Sequence, residues 1–290
     1  MLYRKAQRLL KLPATARARE RYTLRVNRVT SEAPPVTGLA LQVKDLRVSY
    51  GPKRAVDGVS IDINEGDIFG LLGPNGAGKT STLSAIEGLL EPTSGSILIH
   101  QVDVRAHPGL AKALIGVQLQ STSFQSELKI SEIVKLYAGL YGVPLTKPAI
   151  FDRLTEIHLG DEASRRFSQL SGGQQKRLSL LIATVHDPPL VLLDEPTSGL
   201  DPQARRQLWD RIEGIRKSGR SILLTTHSME EAQSVCDRVA IMDYGKILTV
   251  DTPAGLIENH KTDPNVLAVA RGQVTLEDVF IGLTGRELRE

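Results

Sequence analysis

The 290-residue sequence is 41% hydrophobic and 24% charged, the balance of a globular chain with one large domain or two modest ones. An aromatic content of 4% disfavours a stacking surface for single-stranded nucleic acid, and the single cysteine, Cys236, excludes an internal disulfide and a cysteine-built zinc site. The net charge of +3 hides an asymmetry, because residues 1–38 hold nine Lys/Arg against two acids, a net +7, leaving −4 on the remaining 252.

The basic stretch, residues 1–30, contains no glycine. Drawn as a helix, residues 1–11 put Leu2, Tyr3, Ala6, Leu9 and Leu10 on one face and Arg4, Lys5, Arg8 and Lys11 on the other. Such a stretch serves either as a membrane-surface or targeting helix or as a disordered basic tail. Residues 31–38 (SEAPPVTG) have linker composition, so the folded body is expected from Leu39. Strand periodicity covers 39–49, and 56–64 reads as a strand pair turning at Asp57-Gly58. A short apolar strand, 67–72, stops at a glycine-rich loop; 79–90 is helical and 96–104 strand-like. Residues 109–186 read as mostly helical, broken at Gly142-Val143-Pro144 and Ser171-Gly172-Gly173. The apolar strands 190–193 and 221–225 flank a helix over 202–217. Alternating helices and continuously apolar strands imply an α/β fold with a mostly parallel sheet covered on both faces. No run reaches the roughly 18 apolar residues of a membrane span, so any pore belongs to another chain.

Gly73-Pro74-Asn75-Gly76-Ala77-Gly78-Lys79-Thr80 fits G-x-x-x-x-G-K-[ST] at every fixed position, with Ser81 continuing it. Glycines let successive N–H groups converge on phosphate oxygens, and the following helix start adds partial positive charge. Lys79 can reach the β- and γ-phosphates, and the Thr80 hydroxyl can ligate Mg2+. Alone, the loop specifies only a P-loop nucleotidase. The strand Leu190-Val191-Leu192-Leu193 ends in Asp194-Glu195. Asp194 suits Mg2+, and Glu195 suits a general base for water aimed at the γ-phosphate. Two carboxylates there argue for water as nucleophile and so for hydrolysis.

Leu170-Ser171-Gly172-Gly173-Gln174 opens a second helix with an anion-binding start, 91 positions after Lys79 and ending 20 before Asp194. With these motifs in this order the sequence resembles the ABC ATPase family, whose LSGGQ signature stands complete at 170–174. The resemblance covers residues 39–290 and implies a P-loop core, an antiparallel β subdomain and a helical signature subdomain over about 121–180. It implies that Ser171, Gly172, Gly173 and Gln174 of one subunit contact ATP on the partner's P-loop. Tyr50 matches the adenine-stacking aromatic, whose other reading is packing at a strand end. Gln120 matches the glutamine that links Mg2+ to the helical subdomain, with Gln118 a nearby rival. Asp201 matches the inter-subunit loop and also reads as a helix N-cap before Pro202. His227 matches the histidine that contacts the γ-phosphate. Cys236 reads as a small packing residue.

The resemblance implies an ATP- and Mg2+-dependent ATPase that dimerises head to tail with itself or a homologue beneath a separate permease, at the cytoplasmic side of the membrane. The segment 120–124 is expected to face that permease. Thr275-Leu276-Glu277-Asp278-Val279-Phe280 looks like the ending of export-type members, and residues 253–290 are expected as a short C-terminal tail. The rival class is a soluble ABC mechanoenzyme of DNA repair or translation. The 91-residue interval is too short for the coiled coil of repair members, and translation members carry two P-loops rather than one.

Overall fold

The computed structural model describes residues 38–120 and 124–285, and the basic stretch lies outside them. Two sheets organise the chain. The strands β1 (Leu39–Tyr50), β2 (Lys53–Asn64), β4 (Ser94–Ile99) and β5 (Val102–Asp103) form an antiparallel sheet in the order β2-β1-β4-β5. The larger sheet runs β10-β9-β3-β8-β7-β6, from β3 (Ile68–Leu72), β6 (Ile115–Gln118), β7 (Leu190–Asp194), β8 (Ser221–Thr226), β9 (Arg238–Asp243) and β10 (Lys246–Asp251). Its pairings are parallel except at the β9–β10 edge. All residues of β3, β7 and β8 are buried, which explains their unbroken apolar runs.

The helix α1 (Lys79–Ile86) packs on one face of the large sheet, with Leu83 and Ile86 in the core that also holds Phe69, Leu192 and Leu223. After α2 (Pro108–Ala113), the helices α3 (Ile130–Leu140), α4 (Lys147–Glu156) and α5 (Gly172–Thr184) build a separate core around Ile133, Leu154, Phe167 and Leu181. Leu180 of α5 belongs instead to the core on the other face of the large sheet, with Ile68, Leu72 and Val191, so this one helix ties the helical subdomain to the sheet. Opposite α1 lie α6 (Pro202–Lys217), α7 (Met229–Val235), α8 (Pro253–His260), α9 (Pro264–Val269) and α10 (Leu276–Thr284). Leu256, Val266, Val279 and Phe280 from the C-terminal residues are fully buried in that second face. Among the described residues no helix is long and apolar enough to cross a membrane.

Four sequence expectations change. Asp57-Gly58 is not a turn: β2 runs through it, and the register steps from Leu46↔Val59 to Arg47↔Asp57, leaving Gly58 as the extra residue of a bulge. The hairpin instead turns at Gly51-Pro52. The expected strand over 96–104 is a two-strand hairpin, with His100 and Gln101 both in left-handed conformation at its turn. The helical reading of 109–186 missed β6, which is only four residues long. Its Gly116 is required because a Cβ there would lie 2.0 Å from the Ala183 carbonyl oxygen of α5. The first helix also stops at Ile86 rather than continuing to Leu90.

Candidate functional site

The phosphate loop sits between β3 and α1, where the parallel strands end and helix starts gather. Gly78 adopts φ +107°, and a Cβ on it would fall 2.4 Å from the Ala55 carbonyl oxygen. Only glycine lets the loop close against β2 there. Ala77 N–H donates to Pro74 O at 3.1 Å, and Gly245 N–H donates to Ala77 O at 2.8 Å, so the β9–β10 turn buttresses the loop from outside. Pro74 is half-buried, while Asn75 and Gly76 are exposed at its crest.

Lys79 is buried, and its ammonium donates to the carbonyls of Gly73 at 2.7 Å and Pro74 at 3.2 Å. Burial pulls its pKa below the ordinary lysine value, against the opposing pull of Glu195 and Asp194. Glu195 Oε1 lies 3.8 Å from Lys79 Nζ and 3.4 Å from His227 Nδ1, while Gln120 Nε2 donates to its other oxygen at 3.0 Å. Three sequence-predicted residues, Lys79, His227 and Gln120, therefore converge on the carboxylate of a fourth, Glu195. The Glu195 backbone is left-handed, φ +44°, an uncommon and strained state for a side chain of this size.

Thr80 Oγ1 donates to Asp194 Oδ2 at 3.3 Å, bringing two hard oxygen donors together beside the phosphate loop. Among the described residues no cluster of three or more His, Cys, Asp or Glu could hold a metal ion unaided. A cation here would lean on hydroxyl, phosphate and water oxygens, the habit of Mg2+. Gln120 reaches the site and its rival Gln118 does not: the Gln118 amide is wholly buried, with neither polar atom hydrogen-bonded. Tyr50 is 52% exposed at the end of β1, with its hydroxyl 3.5 Å from Ser81 Oγ, so the ring stands free beside the start of α1.

Ser171 caps α5 by accepting from Gln174 N–H at 3.3 Å, and the Gln174 side chain returns to the Ser171 N–H at 2.9 Å. Asp201 caps α6 through the N–H groups of Gln203 and Ala204 at 3.0 and 2.9 Å. The two caps face each other across an open cleft of about 200 Å3, lined by Ser171, Gly172, Gly173 and Gln174 and by Gly199 and Asp201. No residue of the phosphate loop lines that cleft.

Sequence reasoning assigned no role to five residues. Thr225 Oγ1 accepts the Glu195 N–H at 3.0 Å and donates to Asp194 Oδ1 at 2.5 Å, so one hydroxyl fixes both acidic residues. Thr197 and Thr226 both donate to the buried carboxylate of Glu231. Lys176 donates to the Gln120 carbonyl at 2.8 Å, linking the signature helix to that glutamine. The only hint in the chain order was an apolar strand closing on two consecutive threonines before a histidine. Cys236 packs behind β3, where a Cβ on Gly70 would be 2.7 Å from its sulfur, and burial pushes its thiol pKa up.

A family model described as "ABC transporter" matches residues 56–198. The Nod factor export ATP-binding protein I of Ralstonia nicotianae is 36% identical over 318 aligned residues, covering 89% of this chain and 99% of that protein. Its namesake from Rhizobium sp. is 37% identical over 224 residues, covering 77% and 74%. A solved ATP binding subunit of an ABC transporter superposes with a TM-score of 0.73 at 28% identity, covering 84% of this chain and 99% of that one.

Proposed function

We propose that this chain, which belongs to the ATP-binding ATPase subunits of the ABC transporter family, powers export of a substrate through a separate membrane permease. Export is the activity in the names of its relatives. The observation that carries the hydrolytic reading is Glu195, a carboxylate bracketed by Lys79, His227 and Gln120 where the phosphate loop meets the acidic strand.

In this reading the loop of residues 73–81, through backbone N–H groups such as those of Gly76, Gly78 and Thr80, and the Lys79 ammonium bind the β- and γ-phosphates, and Tyr50 stacks on the adenine. Thr80, Asp194 and Gln120 would hold Mg2+, which would supply charge neutralisation on the phosphate oxygens. Glu195 orients and deprotonates the attacking water. His227, within reach of that carboxylate, contacts the γ-phosphate. Catalysis then rests on positioning and electrostatics rather than covalent chemistry.

The signature residues Ser171, Gly172, Gly173 and Gln174 share a cleft with Asp201 and not with the phosphate loop. That separation supports a head-to-tail dimer in which they cap ATP held by a partner subunit, a second copy or a homologue. Residues 39–252 would form the ATPase unit, with 121–180 as its helical subdomain, 1–38 as an arm and 253–290 as a tail docked on the core. The chain would sit peripherally at the cytoplasmic side of the membrane.

The test is reconstitution. The chain co-expressed with its genomic neighbour membrane subunit should purify as a complex whose ATP hydrolysis responds to the lipid-embedded partner. Robust hydrolysis that no membrane subunit binds or alters would refute the transport assignment and favour a soluble mechanoenzyme.

A further inference from the structure

Glu231 has no part in the chemistry above, yet it is 6% exposed in the first turn of α7. A carboxylate is rarely buried to that degree unless its oxygens are occupied. Both are. Thr197 Oγ1 donates to Oε1, and Thr226 Oγ1 donates to Oε2 at 2.8 Å. Thr197 stands two residues beyond Glu195, and Thr226 immediately precedes His227. The acid therefore spans the two loops that carry the general base and the histidine.

The surroundings fix its orientation. Arg205 Nε lies 3.8 Å from Oε1 and supplies a countercharge, and the Glu231 N–H donates to Ser228 Oγ at 3.3 Å. Ser228 N–H donates to Thr226 Oγ1 at 2.9 Å, closing a ring of hydrogen bonds around the backbone of His227. The Thr226 carbonyl accepts the Gly73 N–H at 3.4 Å, so the same threonine also touches the start of the phosphate loop. An apolar side chain could fill this space without the desolvation penalty of a carboxylate; what the acid adds is direction.

We infer that Glu231 is a positioning residue for hydrolysis, holding the loop after Glu195 and the loop bearing His227 in one register. The inference rests on the ATPase reading above. It predicts loss of turnover rather than of nucleotide affinity, because Glu231 is held through the hydroxyls of Thr197 and Thr226, whereas the contact of Thr226 with the phosphate loop runs through its backbone carbonyl, which the substitutions keep.

The experiment compares the full-length wild-type chain with Glu231→Gln, Thr197→Val, Thr226→Val and the Thr197→Val/Thr226→Val double variant. ATP bound per chain is measured beside steady-state kinetics. Each single variant should lower kcat by about 10- to 100-fold per ATP-binding chain, with KM for ATP within about twofold. The double variant should be no slower than its worse parent by more than about twofold, since either arm alone breaks the link. A purely structural role would reduce bound ATP and thermal stability while leaving kcat per bound ATP unchanged, which overturns the inference. So would multiplicative losses in the double variant. Active wild type with an unaffected Glu231→Gln overturns this inference alone; wild type that binds ATP without hydrolysing it overturns the ATPase reading as well.

Discussion

Replacing Thr225 by valine removes one oxygen and changes almost nothing in volume, at a position with no exposed surface at the end of β8. That oxygen accepts from Glu195 N–H at 3.0 Å and donates to Asp194 Oδ1 at 2.5 Å. Valine would leave a buried N–H unsatisfied, a cost of about 1–3 kcal/mol, and delete a hydrogen bond to a carboxylate that contributes about 1.5–3 kcal/mol. The combined loss of about 3–5 kcal/mol is a large share of the roughly 5–15 kcal/mol that hold a typical domain together. At the size of this chain it should lower Tm by about 10 °C. Turnover should suffer as well. The Thr225 bond helps hold Glu195 at φ +44°, and once released that backbone can relax and swing the carboxylate away from Lys79 and His227. A fall in kcat of about 100-fold is expected, with Thr225→Ser near wild type because it keeps the hydroxyl. Differential scanning calorimetry and an ATPase assay read the two effects separately. A Thr225→Val protein with wild-type Tm and kcat would show that this hydroxyl does not organise the acidic pair.

Glu195→Gln should preserve ATP binding, slow hydrolysis by about 10²–10⁴-fold and accumulate an ATP-bound dimer on gel filtration, whereas Lys79→Ala should weaken nucleotide binding itself. Near-normal turnover in the glutamine variant would remove Glu195 from the role of base. Mixing Lys79→Ala with Ser171→Arg chains should rebuild one composite site per mixed dimer, with one ATP trapped in each; mixed dimers that trap none would sink the shared-site arrangement. Glu87, buried where α1 ends, has its pKa raised to about 7 by burial and then by Asp194. Because that folded value lies above the ordinary carboxyl value of 4.5, its ionisation erodes stability as pH rises from about 4.5 through 7. Glu87→Gln should therefore stabilise the fold at pH 8, by at most about 3 kcal/mol, and leave it unchanged at pH 4. Equal melting shifts at both pH values would contradict this.

The phosphate-loop and signature motifs were recognisable in the chain because each is a contiguous run of residues. Glycines at 73, 76 and 78 and the cap Ser171 announce converging N–H groups whatever lies elsewhere. The α/β class was legible for a similar reason, since doubly covered strands must be apolar throughout. The strand β6 was not, because four residues between helices carry too little periodicity, and only the packing of Gly116 on α5 shows why it is there. Likewise Asp57-Gly58 has the composition of a turn, but pairing with β1 makes it a bulge. The choice between Gln118 and Gln120 needed the structure, which sends one amide into the interior and the other to Glu195. Thr225 lies 31 residues from Asp194, and its role exists only because β7 and β8 pair in the register that sets those two residues side by side. Thr197, Thr226 and Glu231 meet by the same cause. A hydroxyl or a buried acid has no signature of its own in a sequence: its function depends on which charges the fold brings within hydrogen-bonding distance, and that is decided by strand order and register.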